Sequence, residues 1–209
     1  MSRHNAARES FPIPTADDLT RARQLFEANE PRDLFYRAAT ELVALALDGK
    51  TSLSVAEAVA VLLQTWNSSY YRYHHRFDSG HFADIEAVLA QHADTLRGLR
   101  AVRIDHIAEP DLGLVLEVFG DFERVLGPVG AAKCLHLLAP YVFPLWDRKI
   151  AVAYRLSLRR TGSNGLRYCA FLQIAAEQCR QLGPDACAGR NPLKALDEYN
   201  YCRFTKKWI

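Results

Sequence analysis

Apolar residues recur along this chain at the three- and four-residue spacing of helices, and this pattern predicts an all-α fold. Thr15 is placed to cap a first helix that runs to about Asn29. Pro31 is placed to begin a second helix that ends near Gly49. The apolar stripe of this second helix is expected to face the core, and its members are Leu34, Ala38, Leu42, Leu45 and Ala46.

The third predicted helix is apolar on nearly every side, so we expect it to be the central buried helix. Ser54 followed by Glu57 forms a capping-box pattern at its start, and Trp66 and Asn67 mark its end. Residues 101–108 alternate weakly and fit either a short strand or an extended linker. Further helices are predicted at about 82–97, 111–122, 130–138, 147–159 and 164–181, and from about 192 onwards.

The helices suggest one compact multi-helix domain over residues 15–209, with a central hairpin-helix motif at 126–160. A length of 209 residues suits a single domain. Pro12 and Pro14 block helix near the start, so residues 1–14 are predicted to be a flexible tail. The C-terminal residues are unusually aromatic and are expected to dock on the body of the protein.

Composition adds limits on location and ligands. The chain is 49% hydrophobic and 24% charged, with no apolar run near the roughly 20 residues that cross a bilayer and no secretory signal. We therefore expect a cytoplasmic protein that does not enter membranes. A net charge of +2 neither requires nor excludes nucleic acid. Five cysteines without a CxxC pair favour buried thiols, so no metal and no cofactor is predicted.

The segment from Gly127 to Tyr154 holds the most distinctive pattern, a turn rich in glycine and proline that runs into an apolar helix. The backbone N–H groups of such a helix start can bind phosphate, and glycine lets a phosphodiester approach closely. Gly127 and Gly130 are therefore candidate contacts to a nucleic-acid backbone. A purely structural turn between two helices fits the same residues.

Lys133 and Asp147 are charged residues in apolar surroundings, and they are the candidate catalytic pair. Desolvation favours the neutral amine of a lysine, which is a nucleophile that forms Schiff bases. A carboxylate at a helix start can stabilise a developing sugar cation. The structural alternatives are a lysine that extends along the edge of the core and an aspartate that serves as an ordinary N-cap.

The sequence GPVGAAKCLHLLAPYVFPLWDRKI resembles the glycine turn, helix and aspartate segment of helix-hairpin-helix DNA glycosylases. That resemblance implies a glycosylase-like fold, a DNA partner, a lysine nucleophile at Lys133 and a catalytic carboxylate at Asp147. The turn reads LGPVG where the family has LPGVG, and Lys149 stands where the family has a histidine after the aspartate. The segment is also similar to a K-x-L-H-x-x-x-P-x-x-F-P-x-W-D motif of uncharacterised bacterial helical proteins, which a Trp-Asn pair accompanies.

Other candidates follow from this hypothesis. Aromatic residues could stack on an extruded base, and a substrate-binding role is assigned to Trp66, Asn67, Tyr70, His136 and Trp146. His136 shares a helix face with the lysine, although a core histidine with satisfied hydrogen bonds fits equally. The spacing of Arg148, Arg155 and Arg159 predicts one helical face that could follow phosphates or simply be solvated.

The sequence therefore predicts a DNA-binding base-excision glycosylase or lyase that acts on a damaged or modified base. Whether the chain is an enzyme at all stays open at this stage. The alternative is a helical module of the same fold that binds nucleic acid, or another partner, without catalysis. The sequence assigns no oligomeric state.

Overall fold

The structure is a computed structural model, and it describes residue 11 and residues 13–73, 75–107, 109–183, 185–187 and 189–209. Most of the predicted N-terminal tail, residues 1–10 and 12, lies outside the described residues. At the end of that segment, Phe11 stacks on Tyr154 with ring centroids 5.1 Å apart.

The regular structure of the described residues is entirely helical, as the sequence predicts at the level of fold class. The described residues form ten α-helices together with two short 3-10 helices, Ile104–His106 and Asp185–Cys187, and a π-helix, Tyr201–Lys206. The α-helices are α1 (Ala16–Asn29), α2 (Asp33–Leu47), α3 (Val55–Trp66), α4 (Ser68–Tyr73), α5 (Ser79–Gln91), α6 (Ala93–Arg100), α7 (Glu109–Leu138), α8 (Arg148–Ala153), α9 (Gly165–Leu182) and α10 (Pro192–Asn200).

Side-chain caps explain where several helices begin. Thr15 and Ser54 form the capping boxes of α1 and α3, each with an acidic residue three positions on. Asp78 and Asp147 cap α5 and α8 by accepting a backbone N–H three residues ahead. Such caps satisfy amide donors that have no partner inside the helix.

The core is organised around α7, which packs against α9, α5, α3 and α2. An aromatic cluster joins α7 to α9: the rings of Phe119 and Tyr168 stack with centroids 4.0 Å apart. Trp146 packs edge-on against Tyr168 and stacks on Phe171. Helix α7 is not straight, because Gly127 takes φ 68 and ψ 168 and divides it into two halves.

Three local predictions differ from the structure. Helix α2 buries Ala39 and Val43, whereas Leu34 and Leu45 of the predicted stripe are exposed. The helix predicted at 82–97 is two helices, α5 and α6, that meet at His92. Residues 104–106 form a 3-10 helix, and neither a strand nor an extended linker spans the region.

The helix predicted at 147–159 is also wrong, because α8 ends at Ala153. Arg155 has φ 58 and therefore lies outside the right-handed helical region. The aromatic C-terminus does dock on the body as expected, since Tyr199 is buried and Phe204 and Trp208 pack against the core.

A separate feature concerns membranes. Across the described parts of the chain, every helix is too short or too polar to reach from one side of a bilayer to the other.

Candidate active site

A cavity of about 390 Å³ opens between the α1–α2 connection, the end of α3, the second half of α7, the start of α8, α10 and the π-helix. Its volume is in the range of roughly 300–1,000 Å³ that small-molecule sites occupy. Both candidate catalytic residues, Lys133 and Asp147, line this cavity together with Trp66 and Trp146. The structure therefore brings together four residues that the sequence singled out.

Lys133 is held against the end of α3. Its Nζ donates a hydrogen bond to the carbonyl oxygen of Trp66 at 2.7 Å and lies 4.4 Å from the centroid of the Trp66 ring. The carbonyl is one of those at a helix C-terminus that lack a partner inside the helix. The amine thus caps α3 and points into the cavity at the same time.

Burial lowers the pKa of Lys133 from its ordinary value to about 8, and the negative charges of Asp197 and Asp147 act in the opposite direction. Contact with the Trp66 ring also favours the ammonium form. With a pKa of about 8, about one amine in ten is neutral at pH 7, far more than for a solvated lysine. The cavity therefore contains a potential nucleophile.

Asp147 is a fixed carboxylate with both oxygens occupied. Its Oδ1 accepts the backbone N–H of Ile150 at 2.8 Å, and its Oδ2 accepts the hydroxyl of Thr205 at 2.9 Å. Among the described residues no carboxylate, Asp147 included, lies within ion-pair distance of the Lys133 amine. The two groups thus face one cavity without neutralising each other.

A second group of buried charges lies behind the cavity wall on α10. The amine of Lys194 lies 3.3 Å from Asp33, 3.6 Å from Asp197 and 3.6 Å from Glu198. It also lies over the rings of Phe26 and Tyr36, at 4.3 and 4.6 Å from their centroids. Asp33 and Asp197 both line the cavity, so this cluster contributes negative charge to it.

Asp197 differs from Asp147 in its environment. Burial raises the pKa of Asp197 to about 6, although Lys194 acts in the opposite direction. Its carboxylate accepts no hydrogen bond from any other residue that the structure describes. A carboxyl group with this pKa can exchange a proton near neutral pH.

The mouth of the cavity carries exposed cations. Arg32, Lys149 and Lys206 line it. Lys149 donates to the carbonyl oxygen of Thr205 at 3.0 Å, and Lys206 lies 3.7 Å from Glu30. Burial on its own would raise the pKa of Glu30, but hydrogen bonds from Arg32 and Tyr201 lower it. Glu30 pairs with Arg32 and Lys206, so Lys149 is the cation at this opening that has no carboxylate partner among the described residues.

The glycine turn is filled by the protein itself. A Cβ at Gly127 would lie 2.9 Å from the ring of Tyr70, and one at Gly130 would lie 2.9 Å from the amide nitrogen of Asn67. Both glycines are buried. Tyr70 and Asn67, predicted as substrate contacts, thus pack against the two glycines that were predicted to contact a nucleic-acid backbone.

His136 lies in the core beside the cavity. It is fully buried, and its ring nitrogens contact the Phe143 carbonyl oxygen at 2.8 Å and the Tyr36 hydroxyl at 3.0 Å. Burial lowers the pKa of His136 to about 4, so its ring is neutral at pH 7. This geometry fits the core-histidine alternative, and His136 is not part of the cavity lining.

The predicted arginine face does not form as a helical face, because α8 ends before two of its three members. Arg148 is the exposed first residue of α8, and Arg155 follows the helix in a left-handed conformation. The backbone of Arg159 is bonded to Asn164, while its side chain is exposed. The three residues therefore lie on a helix start and on the loop after it.

Several site residues were missed by sequence reasoning. Asp197 and its partner Lys194 lie in the segment KALDE, whose three- and four-residue spacing is typical of an exposed ion pair. Thr205 and Tyr201 gave no signal beyond the aromatic character of the C-terminus. Lys194 and Asp197 of α10 are buried because α1 and α2 pack over them, and the sequence alone does not indicate this packing.

Neither a metal-binding group among the described residues nor a similar known protein adds information about the function of the cavity. The described residues contain no group of three or more His, Cys, Asp or Glu side chains arranged to hold a metal ion. All five cysteines are free and buried. Comparisons of the chain with protein-family models, with curated proteins and with solved structures give no match.

Proposed function

We propose that the chain is a base-excision enzyme of the DNA glycosylase and lyase class, with Lys133 as nucleophile and Asp147 as the carboxylate that stabilises the sugar cation. One observation carries the proposal: an amine with a lowered pKa and a fixed carboxylate line the same cavity without pairing. A binding protein has no need of a partly neutral amine in a cavity, whereas Schiff-base chemistry does.

The proposed reaction begins at the sugar carbon that bears the base. The lone pair of the neutral Lys133 amine forms an N–C bond, while the glycosidic bond breaks and the base leaves with its electron pair and takes up a proton. The ring C–O bond then breaks with its electron pair moving to the ring oxygen, which takes one of the two protons on nitrogen. The lone pair left on nitrogen forms the C=N bond between Lys133 and the sugar. Positive charge develops on the sugar in the first step, and the Asp147 carboxylate stabilises it.

The residues around the pair support a nucleic-acid substrate. Trp66 and Trp146 line the cavity, but Trp146 is only 1% exposed and stacks on Phe171. Trp66 is therefore the aromatic residue proposed to stack on an extruded base. The mouth carries Arg32, Lys149 and Lys206, which suit a phosphodiester strand that crosses it. The glycine turn does not contribute to this proposal, since Tyr70 and Asn67 cover it.

A second candidate function, a binding module without catalysis, is favoured by one contact. The hydrogen bond from Lys133 to the Trp66 carbonyl oxygen gives the lysine a structural role that needs no reaction. In that case the cations at the mouth bind an anionic partner, and Lys133 only caps α3.

The test is covalent trapping. The protein is incubated with duplex oligonucleotides that contain 8-oxoguanine, uracil or an abasic site, in the presence of borohydride, which reduces a C=N bond to a stable amine. We expect a covalent complex with the wild-type protein and none with Lys133→Gln. Lys50→Gln is the matched control, because Lys50 is exposed and pairs with Asp48 far from the cavity lining.

Each outcome separates the two candidates. Loss of trapping in a folded Lys133→Gln variant that still binds DNA supports the enzyme. Salt-sensitive DNA binding by the wild-type protein with no trapping on any substrate favours the binding module. Trapping that survives in Lys133→Gln contradicts the assignment of the nucleophile.

A further inference from the structure

Two of the three aspartates that line the cavity, Asp147 and Asp197, lie in contrasting environments. Asp147 accepts hydrogen bonds on both oxygens, from Ile150 and Thr205. Asp197 accepts none from the described residues, and its carboxylate lies 3.6 Å from the Lys194 amine. Where two carboxyl groups share a site, such a difference in environment gives them different roles, and the one without hydrogen-bond donors is the better proton carrier.

Lys133 requires a proton acceptor. At neutral pH its amine is mostly protonated, and an ammonium group cannot attack a carbon atom. Asp147 is poorly suited to take the proton, because its two oxygens already accept hydrogen bonds. Asp197 is only 8% exposed, lines the same cavity and has a carboxylate without a hydrogen-bond donor.

We infer that Asp197 accepts the proton that Lys133 releases, and that it returns this proton to the oxygen that leaves as water when Lys133 forms an imine with an aldehyde. The inference deepens the proposed function, on which it rests for the identity of the aldehyde, the opened sugar of an abasic site. It assigns a proton-transfer role to a residue on α10, far in sequence from the glycosylase-like motif.

The proton balance of the step is complete. Asp197 lies beyond ion-pair distance of the Lys133 amine, so it takes one proton from the ammonium through a water molecule that bridges the two groups. The neutral amine then adds to the aldehyde carbon while the carbonyl electron pair moves to oxygen. A second proton passes from nitrogen to that oxygen. The protonated Asp197 then gives its proton to the hydroxyl group, water leaves, and the nitrogen lone pair completes the C=N bond.

The charges that face Asp197 come from every side of the cavity. Lys194 and Glu198 lie on its own helix, Lys133 lies on α7, and Asp147 lies at the start of α8. The remaining charged or titratable groups around the site are Asp33 and Tyr36 on α2, Glu30 and Arg32 before α2, Lys149 on α8, Tyr201 and Lys206 on the π-helix, and the Cys202 thiol.

This arrangement fits proton exchange near neutral pH. Burial raises the pKa of Asp197 to about 6 and lowers that of Lys133 to about 8. The two groups are therefore closer in acidity than a solvated aspartate and lysine, and proton transfer between them is correspondingly less costly. Below about pH 6 the protonated Asp197 can no longer accept a proton.

The test exploits two opposite effects of Asp197→Asn. The substitution removes a negative charge that raises the pKa of Lys133, so it makes the neutral amine more abundant at pH 7. If Asp197 only tunes charge, imine formation becomes faster. If Asp197 carries the proton, imine formation slows, on the order of 100-fold, and loses the rise in rate centred near pH 6.

Two aldehyde substrates distinguish a failure of this inference from a failure of the proposed function. Formaldehyde, with enough cyanoborohydride that imine formation limits the rate, labels Lys133 without nucleic acid, and mass spectrometry of the Lys133 peptide follows it across pH. Abasic duplex with borohydride reports the proposed reaction. We expect Asp197→Asn to slow labelling with both aldehydes and Asp197→Glu to restore part of each rate.

Glu198→Gln is the matched control. Glu198 is the next residue, contacts the same Lys194 amine at 3.6 Å and is not part of the cavity lining. We expect it to keep the rise in labelling rate with pH, moved to lower pH because the Glu198 charge helps to raise the pKa of Asp197. Urea unfolding verifies that both variants are folded. A comparable loss in Glu198→Gln would indicate that Lys194 is the critical group and would overturn the role of Asp197.

The outcomes are distinct. Faster formaldehyde labelling of Lys133 in folded Asp197→Asn at every pH overturns the inference. Slower formaldehyde labelling in Asp197→Asn, with no trapping of abasic DNA by the wild-type protein, supports the inference and rejects the proposed function. Slower labelling with both aldehydes supports both.

Discussion

The Gly127–Gly130 turn and the cavity reached by Lys133 lie about one helical turn apart on the same half of α7, and they differ in how the protein completes them. At the turn, Tyr70 and Asn67 occupy the space that the glycines leave. At Lys133, the walls diverge and leave a cavity of about 390 Å³ lined by charged groups. The glycines explain the packing of α4 on α7, and the buried charges explain where chemistry can occur.

This contrast shows that a glycine, which leaves space where a side chain would be, is weak evidence for a ligand site. A buried charge without a complete set of partners is stronger evidence. The space beside a glycine can be filled by any ring of the same protein. A charge taken out of water is costly unless it is paired, so an incompletely paired charge around a cavity calls for a functional explanation. Three experiments test or refine the contrast.

The largest expected effect is on stability at the turn. Gly127→Ala is expected to lower the free energy of unfolding by about 3 kcal/mol, because φ 68 with ψ 168 is essentially restricted to glycine and the new Cβ would meet the Tyr70 ring. Urea denaturation measures the change. Gly113→Ala on the same helix has open space and should not destabilise the protein. Equal stability of the two variants would show that the turn is not tightly packed.

An intermediate effect is expected in the pH dependence of stability. The pKa of Asp197 is raised to about 6 in the folded protein. The contribution of Asp197 to the free energy of unfolding therefore falls as pH rises from about 4 to 6. The pKa of His136 is lowered to about 4, so the contribution of His136 to the free energy of unfolding rises with pH from about 4 to 6.5. The two contributions oppose each other in the wild-type protein.

Asp197→Asn removes one of these opposing contributions. The free energy of unfolding of Asp197→Asn minus that of wild type should increase with pH, by at most about 1.4 kcal/mol per pH unit between about pH 4 and 6. His136→Gln should shift the slope in the opposite direction. Urea denaturation at several pH values measures both. If Asp197→Asn and wild type have parallel profiles, Asp197 is not titrating in this range.

The smallest effect is expected at the mouth of the cavity. Lys149 is exposed, and Lys149→Ala should change stability by less than about 0.5 kcal/mol. If a DNA strand crosses the mouth, this variant should lower the slope of log affinity against log salt by about 0.9. Fluorescence anisotropy with a labelled duplex measures it, and Lys50→Ala is the control. Equal slopes in the two variants would place the strand elsewhere.

The parts of the fold that depend on neighbouring residues were predictable from the sequence. The N-caps at Thr15 and Asp147 and the capping box at Ser54 were predicted from local sequence, and the helices that they begin are present. Boundaries were less predictable. The helix after Asp147 stops at Ala153, and no strong breaker marks that point in the sequence.

The site was only partly predictable, because its walls join distant segments. Lys133, Asp147, Trp66 and Trp146 were recognised from local pattern and resemblance. The helix-hairpin-helix relationship itself stays a prediction. Asp197 was missed because a sequence pattern that fits an exposed ion pair becomes a buried cluster only when α1 and α2 cover α10.

The segment Tyr201–Lys206 has a consequence for how the cavity is completed. It supplies the Thr205 hydroxyl to Asp147, and Tyr201 bonds Glu30, which lies 171 positions earlier in the chain. Tyr201, Thr205 and Lys206 also line the cavity. The cavity that contains Lys133 and Asp147 is therefore complete only when this segment has docked against residues from the first helices of the chain.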